Sequence, residues 1–295
     1  MKKVVFTGAA VALVTPMNQD GSVNYKKLEE LVEFQIQNGT DAIVACGTTG
    51  ESATLDIDEH IEVIKKTVEF AKGRVPVIAG TGSNDTAFAV KTAALAEQTG
   101  ADAMLVVTPY YNKTSQAGLI AHFTAIANST TLPVILYNVP SRTGTNIKPQ
   151  TYKELSKIEN IVATKEASGD ISAVAQIAHL CGEDLNIYSG NDDQIVPIMS
   201  LGGLGVISVL SNVVPQETHD ICRYALDGDF KKASELQLKY LPLVDALFSD
   251  VNPIPVKEAL NLIGFDVGPT RMPLCQMDPK NVEKLSIALK GANLL

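Results

Sequence analysis

Short apolar runs alternate with amphipathic stretches along the first three quarters of the chain. The runs are rich in valine and isoleucine and are apolar on both faces, which is typical of parallel strands covered on both sides. Between them, apolar residues recur every three or four positions, as at Leu28, Leu31 and Val32, and this spacing predicts helices. The predicted strands are residues 5–13, 42–45, 75–79, 103–107, 134–137, 161–165, 185–188 and 205–209.

Two short segments of the chain are repeated, which indicates a repeating architecture. GTDA at residues 39–42 returns as GADA at 100–103, and PVI at 76–78 returns at 133–135, each about 60 residues later, or two strand–helix units of roughly 30 residues. Eight such units fit a (β/α)8 TIM barrel, an α/β fold of typically about 250 residues. An open doubly wound sheet would normally carry Gly-x-Gly-x-x-Gly after its first strand, whereas the nearest match is GTG at 80–82, after the third.

The strand pattern stops after about Asp227, and the rest of the chain is helical. Residues 230–248, 255–263 and 281–289 have helical periodicity, and prolines punctuate the connections. We therefore expect a catalytic barrel at residues 1–228 and a C-terminal helical extension at 229–295, of the kind used more often for subunit contacts than for chemistry.

Composition and charge exclude several classes of protein. The chain has 24 Lys and Arg against 33 Asp and Glu, a net charge of −9, and no basic cluster for a phosphate backbone, so we expect no nucleic acid partner. Its apolar runs are too short to span a membrane, and its four scattered cysteines are typical of reduced thiols in a cytoplasmic protein. The apolar start of the chain imitates a secretory signal, but Thr7 and Gly8 interrupt it, so a buried strand is the better interpretation.

Polar side chains follow the predicted strands at their carboxyl ends, where a parallel barrel carries its functional groups. They lie in residues 47–52 (GTTGES), 108–112 (TPYYN), 137–142 (YNVPSR), 165–166 (KE) and 189–192 (SGND). Because the carboxyl ends of all the strands meet at one mouth, hydroxyls, an arginine and a lysine converge there. This pattern predicts an active site.

Lys165 is the most informative of these residues, because it ends an apolar strand where an ammonium is poorly solvated. Desolvation lowers the pKa of an amine from about 10.4 and frees its lone pair for attack on a carbonyl. The alternative is a structural ion pair, although the adjacent Glu166 should face away from the pocket because side chains alternate along a strand. On spacing alone, the Schiff-base interpretation is only modestly better than the ion pair.

The neighbouring polar residues each have a chemical and a structural interpretation. Tyr137 could carry protons for imine formation, or it could be a core tyrosine at a strand end. Thr48 and Thr49 could bind a small carboxylate, or they could belong to an ordinary glycine turn. Arg142 could form a bidentate pair with a substrate carboxylate, or it could be a solvated surface arginine.

Metal and nucleophile sites are less well supported by the sequence. The four histidines have no partner at i, i+4 and no neighbouring cysteine pair, which argues against a zinc site. Cys46 is better explained as a small buried residue than as a nucleophile. We expect Asp192 and Asp193 to be solvated loop charges.

Taken together, these segments resemble the dihydrodipicolinate synthase family. The matching motifs are residues 47–51, 110–112, 137–144 and 165–167, followed by 202–208 (GGLGVIS) and 252–257 (NPIPVK). They are in order, correctly spaced and distributed over essentially the whole chain. The resemblance implies a class I, Schiff-base lyase that condenses pyruvate with L-aspartate 4-semialdehyde to give 4-hydroxy-tetrahydrodipicolinate, in the diaminopimelate route to L-lysine.

The resemblance also implies the catalytic roles. Lys165 would form an imine with pyruvate, and Tyr137 would donate and accept protons. Tyr137 would be linked through Thr48 to Tyr111, which in the family reaches in from a neighbouring subunit. The implied assembly is a homotetramer, a dimer of dimers. No metal or organic cofactor is implied, because the imine nitrogen supplies the electron sink.

The substrate-binding roles follow from the same resemblance. Thr49 and Ile207 would hold pyruvate, Arg142 would bind the carboxylate of the semialdehyde, and Gly190 would hold its aldehyde end through a backbone carbonyl. N-acetylneuraminate lyase and the 2-keto-3-deoxy sugar-acid aldolases share the barrel, so they remain alternatives that the Arg142 loop and Thr49 disfavour. A non-enzymatic barrel that senses a 2-oxo acid is a further alternative, and the lysine and tyrosine argue against it.

Regulation by L-lysine is a separate expectation from the resemblance. Lysine-sensitive members hold the inhibitor at a subunit interface, near the positions of Ser52, His60, Asn84 and Tyr110. Two positions depart from that pattern: Ile57 stands where a polar residue is common, and Phe88 stands where a glutamate receives the ammonium of the inhibitor. Asn84 and Phe88 are four apart on a predicted helix and should share a face, so we expect weak inhibition or none.

Overall fold

The computed structural model describes residues 2–295, and its centre is a closed barrel of eight parallel strands. The strands follow chain order around the barrel, and the last pairs with the first. They are β1 (Gly8–Ala12), β2 (Ala42–Ala45), β3 (Val77–Gly80), β4 (Ala103–Val107), β5 (Val134–Asn138), β6 (Ile161–Glu166), β7 (Asn186–Ser189) and β8 (Gly205–Ser208). The predicted (β/α)8 barrel is confirmed.

Helices surround the barrel and continue beyond it. The first nine are α1 (Tyr25–Gln37), α2 (Ile57–Ala71), α3 (Thr86–Glu97), α4 (Gln116–Ala127), α5 (Pro140–Thr143), α6 (Pro149–Leu155), α7 (Ile171–Cys181), α8 (Ile195–Ser200) and α9 (Pro215–Leu226). The last three are α10 (Phe230–Leu247), α11 (Ile254–Leu262) and α12 (Pro279–Gly291). These three confirm the helical segments predicted after the strands end.

Several helices begin where a short acidic side chain caps the first turn. Asp56 accepts a hydrogen bond from the backbone N–H of Glu59 at 2.9 Å and so caps the start of α2. Asp85 caps α3 in a similar way. Asn84 therefore precedes α3 rather than belonging to it, and the prediction that it shares a helical face with Phe88 was wrong.

The first strand is shorter than predicted. It begins at Gly8 rather than at residue 5, because the preceding residues pack at the amino-terminal end of the barrel. There the ring of Phe6 stacks on the ring of Tyr188, with 4.3 Å between their centroids. The Tyr188 hydroxyl also donates a hydrogen bond to the carbonyl oxygen of Phe6 at 2.7 Å.

Alternate residues of each strand point into the barrel, and the others pack against the helices. The interior is an apolar cluster that includes Val44, Ile78 and Leu105, and the outward residues join a larger core with the helices. Lys165 lies two residues after Ala163 of this interior cluster, so its side chain points inward. The fold thus directs the amine toward the barrel mouth.

The last three helices pack against the side of the barrel. Helix α10 contacts α8 and α9, and α12 contacts α10 and α11. The segment between α10 and α11, residues 248–253, returns to the carboxyl-terminal mouth of the barrel. Within residues 2–295, no helix combines the length and apolar character needed to cross a bilayer.

Candidate active site

A cavity of about 400 Å³ opens at the carboxyl ends of the strands. Apolar barrel residues, the loops that follow the strands and the segment between α10 and α11 form its walls. The polar side chains in its lining are Thr48, Thr49, Tyr137, Ser141, Arg142, Lys165, Asn191, Asp250 and Asn252. The structure brings together six of the predicted site residues here: Lys165, Tyr137, Thr48, Thr49, Arg142 and Gly190.

Lys165 presents a buried amine to this cavity. The residue is 5% exposed, and its Nζ lies 4.4 Å from the centroid of the Tyr137 ring. Burial lowers the pKa of Lys165 to about 8, with the charge of Asp192 acting in the opposite direction and that of Arg142 acting in the same direction. A useful fraction of the amine is therefore neutral near this pH, which is the form that attacks a carbonyl.

Tyr137 lies directly opposite Lys165, because β5 and β6 pair these two positions in register. Burial raises the pKa of Tyr137, and the positive charge of Arg142 and a side-chain hydrogen bond with Thr48 partly oppose that rise. The phenol therefore stays protonated at neutral pH. Such a hydroxyl can donate a proton to a neighbouring oxygen and take one back.

The turn that follows β2 presents two threonine hydroxyls to the cavity. The N–H of Gly50 donates to the carbonyl of Gly47, and the N–H of Glu51 donates to the carbonyl of Thr48, both at 3.1 Å. Thr49 is buried, and its Oγ1 accepts a hydrogen bond from Asn252. The glycine-turn interpretation and the binding interpretation are thus compatible in this loop.

Arg142 and Gly190 border the same cavity. Arg142 lies on α5, and its Nη2 donates to the carbonyl oxygen of Asn252 at 3.3 Å. Gly190 follows β7, where a Cβ would lie 3.0 Å from Cγ of Lys165 and 2.7 Å from Cβ of Ala167. Glycine at this position leaves the space that the lysine side chain occupies.

Asp192 is buried close to Lys165, and the prediction that it is a solvated loop charge was wrong. Its Oδ2 accepts hydrogen bonds from the backbone N–H groups of Val209 at 3.1 Å and Leu210 at 2.9 Å. The turn after β8 thus folds its amides onto this carboxylate. Burial raises the pKa of Asp192, and these hydrogen bonds oppose the rise. Asp193 is exposed, as predicted.

Glu166 faces away from the cavity, as strand alternation predicts. Both of its carboxylate oxygens accept hydrogen bonds from Nδ2 of Asn138 at 3.1 Å, and the Tyr152 hydroxyl donates to one of them at 2.9 Å. Asn138 and Glu166 are register partners, one step beyond Tyr137 and Lys165. This buried network therefore ties β5 to β6 beside the two reactive side chains.

Two predicted site residues lie outside the cavity lining. Ile207 is fully buried in β8 and packs in the apolar interior of the barrel, in the same cluster as Tyr137. Tyr111 is 91% exposed on the loop after β4, with a backbone φ of +68°. The structure of one chain therefore does not bring Tyr111 to the cavity of that same chain.

The sequence did not predict a buried ion pair behind the threonine turn. Nζ of Lys257, in α11, lies 2.8 Å from Oε1 of Glu51 and also donates to the carbonyl oxygen of Thr15. Both charged side chains are at most 2% exposed. Burial lowers the pKa of Lys257, while the charge of Glu51 raises it. Lys257 belongs to the family motif at residues 252–257, but the sequence did not indicate a role for it.

Metal and thiol chemistry find little support at this mouth. Among residues 2–295, no group of three or more His, Cys, Asp or Glu side chains is arranged to hold a metal ion. Cys46 is buried, and burial raises the pKa of its thiol, which keeps the thiol protonated. A protonated, buried thiol is a poor nucleophile, which agrees with the interpretation of Cys46 as a small buried residue.

Comparison with known proteins shows to which family of (β/α)8 barrels this chain belongs. The model of the Dihydrodipicolinate synthetase family matches residues 5–292. The chain belongs to this family. The 4-hydroxy-tetrahydrodipicolinate synthase of Lachnoclostridium phytofermentans is 59% identical to it over 292 residues, which cover 99% of each chain. The resemblance identified from the motifs is confirmed.

Solved structures of dihydrodipicolinate synthases are similar over the whole fold. The chloride-inhibited enzyme from Acinetobacter baumannii, complexed with pyruvate, is 43% identical with a TM-score of 0.97, and the match covers 99% of this chain and 100% of that one. The enzyme from Cyanidioschyzon merolae with lysine bound is 42% identical with a TM-score of 0.96 and the same coverage. The family thus shares both the barrel and the helical extension.

Proposed function

We propose that this protein condenses pyruvate with L-aspartate 4-semialdehyde to form 4-hydroxy-tetrahydrodipicolinate, in the diaminopimelate route to L-lysine. The observation that carries the proposal is the buried amine of Lys165, with its lowered pKa, against Tyr137 in the cavity. The names of the close relatives support the substrates. We expect the enzyme to work in the cytoplasm, where thiols stay reduced.

The first half of the reaction forms an enamine on Lys165. The neutral amine attacks the carbonyl carbon of pyruvate, and the resulting carbinolamine loses water to give a protonated imine. Tyr137 relays a proton from the attacking amine to the carbinolamine oxygen, and it then donates its own proton as that oxygen leaves as water, which makes it a phenolate. The phenolate of Tyr137 then takes a proton from the methyl carbon, and the protonated imine nitrogen accepts the electron pair to give the enamine. No metal or organic cofactor is required for this step.

The second half joins the two substrates. The enamine carbon attacks the aldehyde carbon of the semialdehyde, and Tyr137 supplies the proton that the new alkoxide needs. The amino group of the semialdehyde then attacks the imine carbon and displaces Lys165, which closes the ring and restores the free amine. We assign Tyr137, Thr48 and a neighbouring subunit's Tyr111 to one proton relay.

Substrate binding is assigned to groups around the same cavity. Thr49 would donate a hydrogen bond to the carboxylate of pyruvate, and Ile207 would support pyruvate from the apolar interior. Arg142 would bind the carboxylate of the semialdehyde, and the carbonyl oxygen of Gly190 would accept from its hydrated aldehyde end. The exposure of Arg142 at the cavity edge supports a role toward the second, larger substrate.

Borohydride trapping tests the proposed function directly. Incubation with pyruvate and borohydride should add one reduced three-carbon unit to the chain, and peptide mapping should locate it at Lys165. Condensation is then measured with L-aspartate 4-semialdehyde and, as comparison substrates, longer polyhydroxylated aldehydes. Labelling of a different lysine, or a preference for the polyhydroxylated aldehydes, would overturn the proposal.

Removing the Arg142 side chain should separate the two substrates. We expect Arg142→Ala to weaken use of the semialdehyde by roughly ten- to a hundredfold, because a charge-assisted hydrogen bond contributes about 1.5–3 kcal/mol. The rate of borohydride trapping with pyruvate should change much less. Arg223→Ala, on the exposed face of α9, is the matched control. Equal losses in both assays would mean that Arg142 is structural.

The proposed assembly is a homotetramer in which the Tyr111 loop crosses one subunit contact. Paired exposed aromatic residues such as Tyr110 and Tyr111 are typical of contact surfaces. Alone, Tyr111→Ala chains should be weakly active and Lys165→Met chains inactive. We expect activity to return when the two are coexpressed, because one chain then supplies the amine and the other the tyrosine. A fully active monomer in sedimentation, or no recovery in the mixture, would contradict this arrangement.

We expect L-lysine to inhibit this enzyme weakly or not at all. Phe88 is 44% exposed on α3, so it offers a ring where an ammonium would need a carboxylate, and a cation–π contact returns only about 0.5–2 kcal/mol. Nε2 of His60 is already engaged with the carbonyl oxygen of Gly80 at 2.7 Å. Initial rates at subsaturating pyruvate with millimolar L-lysine check this. Strong cooperative inhibition would show that the L-lysine site is intact despite Phe88. If inhibition is weak or absent, Phe88→Glu should increase the sensitivity to L-lysine.

A further inference from the structure

Asn252 is a buried polar residue that the catalytic roles above leave unused. It lies in the segment between α10 and α11, lines the cavity and is 5% exposed. Its Nδ2 donates a hydrogen bond to Oγ1 of Thr49 at 3.0 Å, and its backbone carbonyl accepts one from Nη2 of Arg142 at 3.3 Å. A single residue of the helical extension therefore contacts two side chains to which substrate binding is assigned.

The direction of the hydrogen bond to Thr49 matters for ligand binding. A hydroxyl group has one proton to donate and two lone pairs that accept. Because the amide of Asn252 donates to Oγ1, the proton of the Thr49 hydroxyl is not used in this contact and stays available for another acceptor. A carboxylate only accepts hydrogen bonds, so it is the complementary ligand group.

The side-chain carbonyl oxygen of Asn252 indicates that this amide acts mainly as a hydrogen-bond donor. Oδ1 of Asn252 is buried and has no hydrogen-bond partner within the described residues. A buried carbonyl oxygen without a partner costs free energy, so contacts at Oδ1 do not explain why this side chain is buried here. The hydrogen bond that remains is the one from Nδ2 to Thr49.

We propose that Asn252 is a positioning residue that aims the Thr49 hydroxyl proton at the carboxylate of the 2-oxo acid. Through its backbone carbonyl, the same residue holds Arg142 on the side of the second substrate. The helical extension thereby completes the substrate site, and this inference rests on the proposed function. An acceptor in place of the amide would capture the Thr49 proton and repel the carboxylate.

The test is Asn252→Asp, which keeps the side-chain shape and replaces the donor with an acceptor. We expect the KM for pyruvate to rise by about 10- to 100-fold, the range that a lost hydrogen bond to a charged group produces, with a much smaller change in kcat. Asn252→Ala, which removes the donor without adding a charge, should raise this KM less. Circular dichroism and the melting temperature monitor folding of both variants.

A double-mutant cycle with Thr49→Val distinguishes positioning from a structural role. If Asn252 acts through the Thr49 hydroxyl, Asn252→Asp should add little to the pyruvate KM of the Thr49→Val enzyme. Asn261→Asp is the matched control, because Asn261 is a part-buried asparagine of α11 whose amide donates to the carbonyl of Gly268, away from the cavity. It should leave the pyruvate KM unchanged.

Several outcomes would overturn this inference. They are an unchanged pyruvate KM in Asn252→Asp and Asn252→Ala, additive effects in the cycle with Thr49→Val, or an equal rise in KM for Asn261→Asp. A failure of the proposed function would be seen separately, as the absence of borohydride labelling of Lys165 in the unsubstituted enzyme. The two results therefore cannot be confused.

Discussion

Replacing Lys165 with methionine is expected to abolish condensation while making the folded chain more stable at neutral pH. Turnover should fall by at least about four orders of magnitude, because covalent catalysis through the imine is lost from a rate enhancement that is typically 10⁶-fold or more. Stability should increase because burial lowers the pKa of this amine from 10.5 to about 8, which corresponds to about 3 kcal/mol.

The size of this stabilising effect depends on pH. Between about pH 8 and 10.5 the unfolded chain binds the proton of Lys165 more strongly than the folded chain, so the stability of the unsubstituted protein rises with pH in this window. Below about pH 8 the cost of burying the amine is fully present. The melting temperature of Lys165→Met should therefore exceed that of the unsubstituted protein most at pH 7, and the difference should decrease toward alkaline pH.

Lys257 provides a control in which the same substitution should lower the stability of the folded chain. It is as deeply buried as Lys165, but it is paired with Glu51 at 2.8 Å. Lys257→Met would leave that carboxylate buried without its partner, which typically destabilises a protein by about 3–5 kcal/mol. If Lys165→Met melted at or below the temperature of the unsubstituted protein at pH 7, the amine would not be buried at a cost, and the basis for its reactivity would be lost.

Removing the hydroxyl of Tyr137 should have the second-largest effect on activity. We expect Tyr137→Phe to lower kcat by about 10²–10⁴-fold, the usual contribution of a positioned general acid or base. The ring itself would still pack in the barrel interior, so the fold should be retained. Steady-state kinetics and the rate of borohydride trapping check this, and trapping should slow because imine formation needs the same proton transfers.

Tyr188→Phe is the matched control for this substitution. Tyr188 is also a buried tyrosine of the barrel, and its hydroxyl donates to the carbonyl of Phe6 at 2.7 Å without lining the cavity. Its removal should lower the melting temperature slightly and leave kcat nearly unchanged. A comparable loss of activity in both variants would show that Tyr137 acts through packing rather than through proton transfer.

The sequence predicts most of the fold because the strands of this barrel are buried on both sides. Such strands are nearly uninterrupted apolar runs, and the predicted 103–107 coincides with β4. The first strand is the main error, because the apolar residues before Gly8 that extend the run pack against other parts of the chain, as Phe6 does on Tyr188. Apolar character identifies burial, but it does not distinguish a strand from a segment that closes one end of a barrel.

The site was predicted where local sequence decides the position of a side chain. Lys165 and Tyr137 are the penultimate residues of β6 and β5, and strand geometry carries both to the mouth. Asp192 and Asn252 were missed because their surroundings come from distant segments. A pair of adjacent aspartates is usually solvated. Asp192 is buried because the Ser208 side chain and the amides of the turn after β8 hydrogen-bond to it. No local pattern shows that an asparagine after α10 will contact a threonine after β2.

The buried pair of Glu51 and Lys257 also bears on how the chain is made. The two residues are 206 positions apart, and at about 5–20 residues per second the ribosome adds Lys257 roughly 10–40 s after Glu51. Throughout that interval the nascent barrel has a carboxylate destined for burial and no cation to accompany it. A chain that ends between residues 229 and 256 would therefore have all eight strands but an unanchored threonine turn, which makes it a natural substrate for chaperones and proteases.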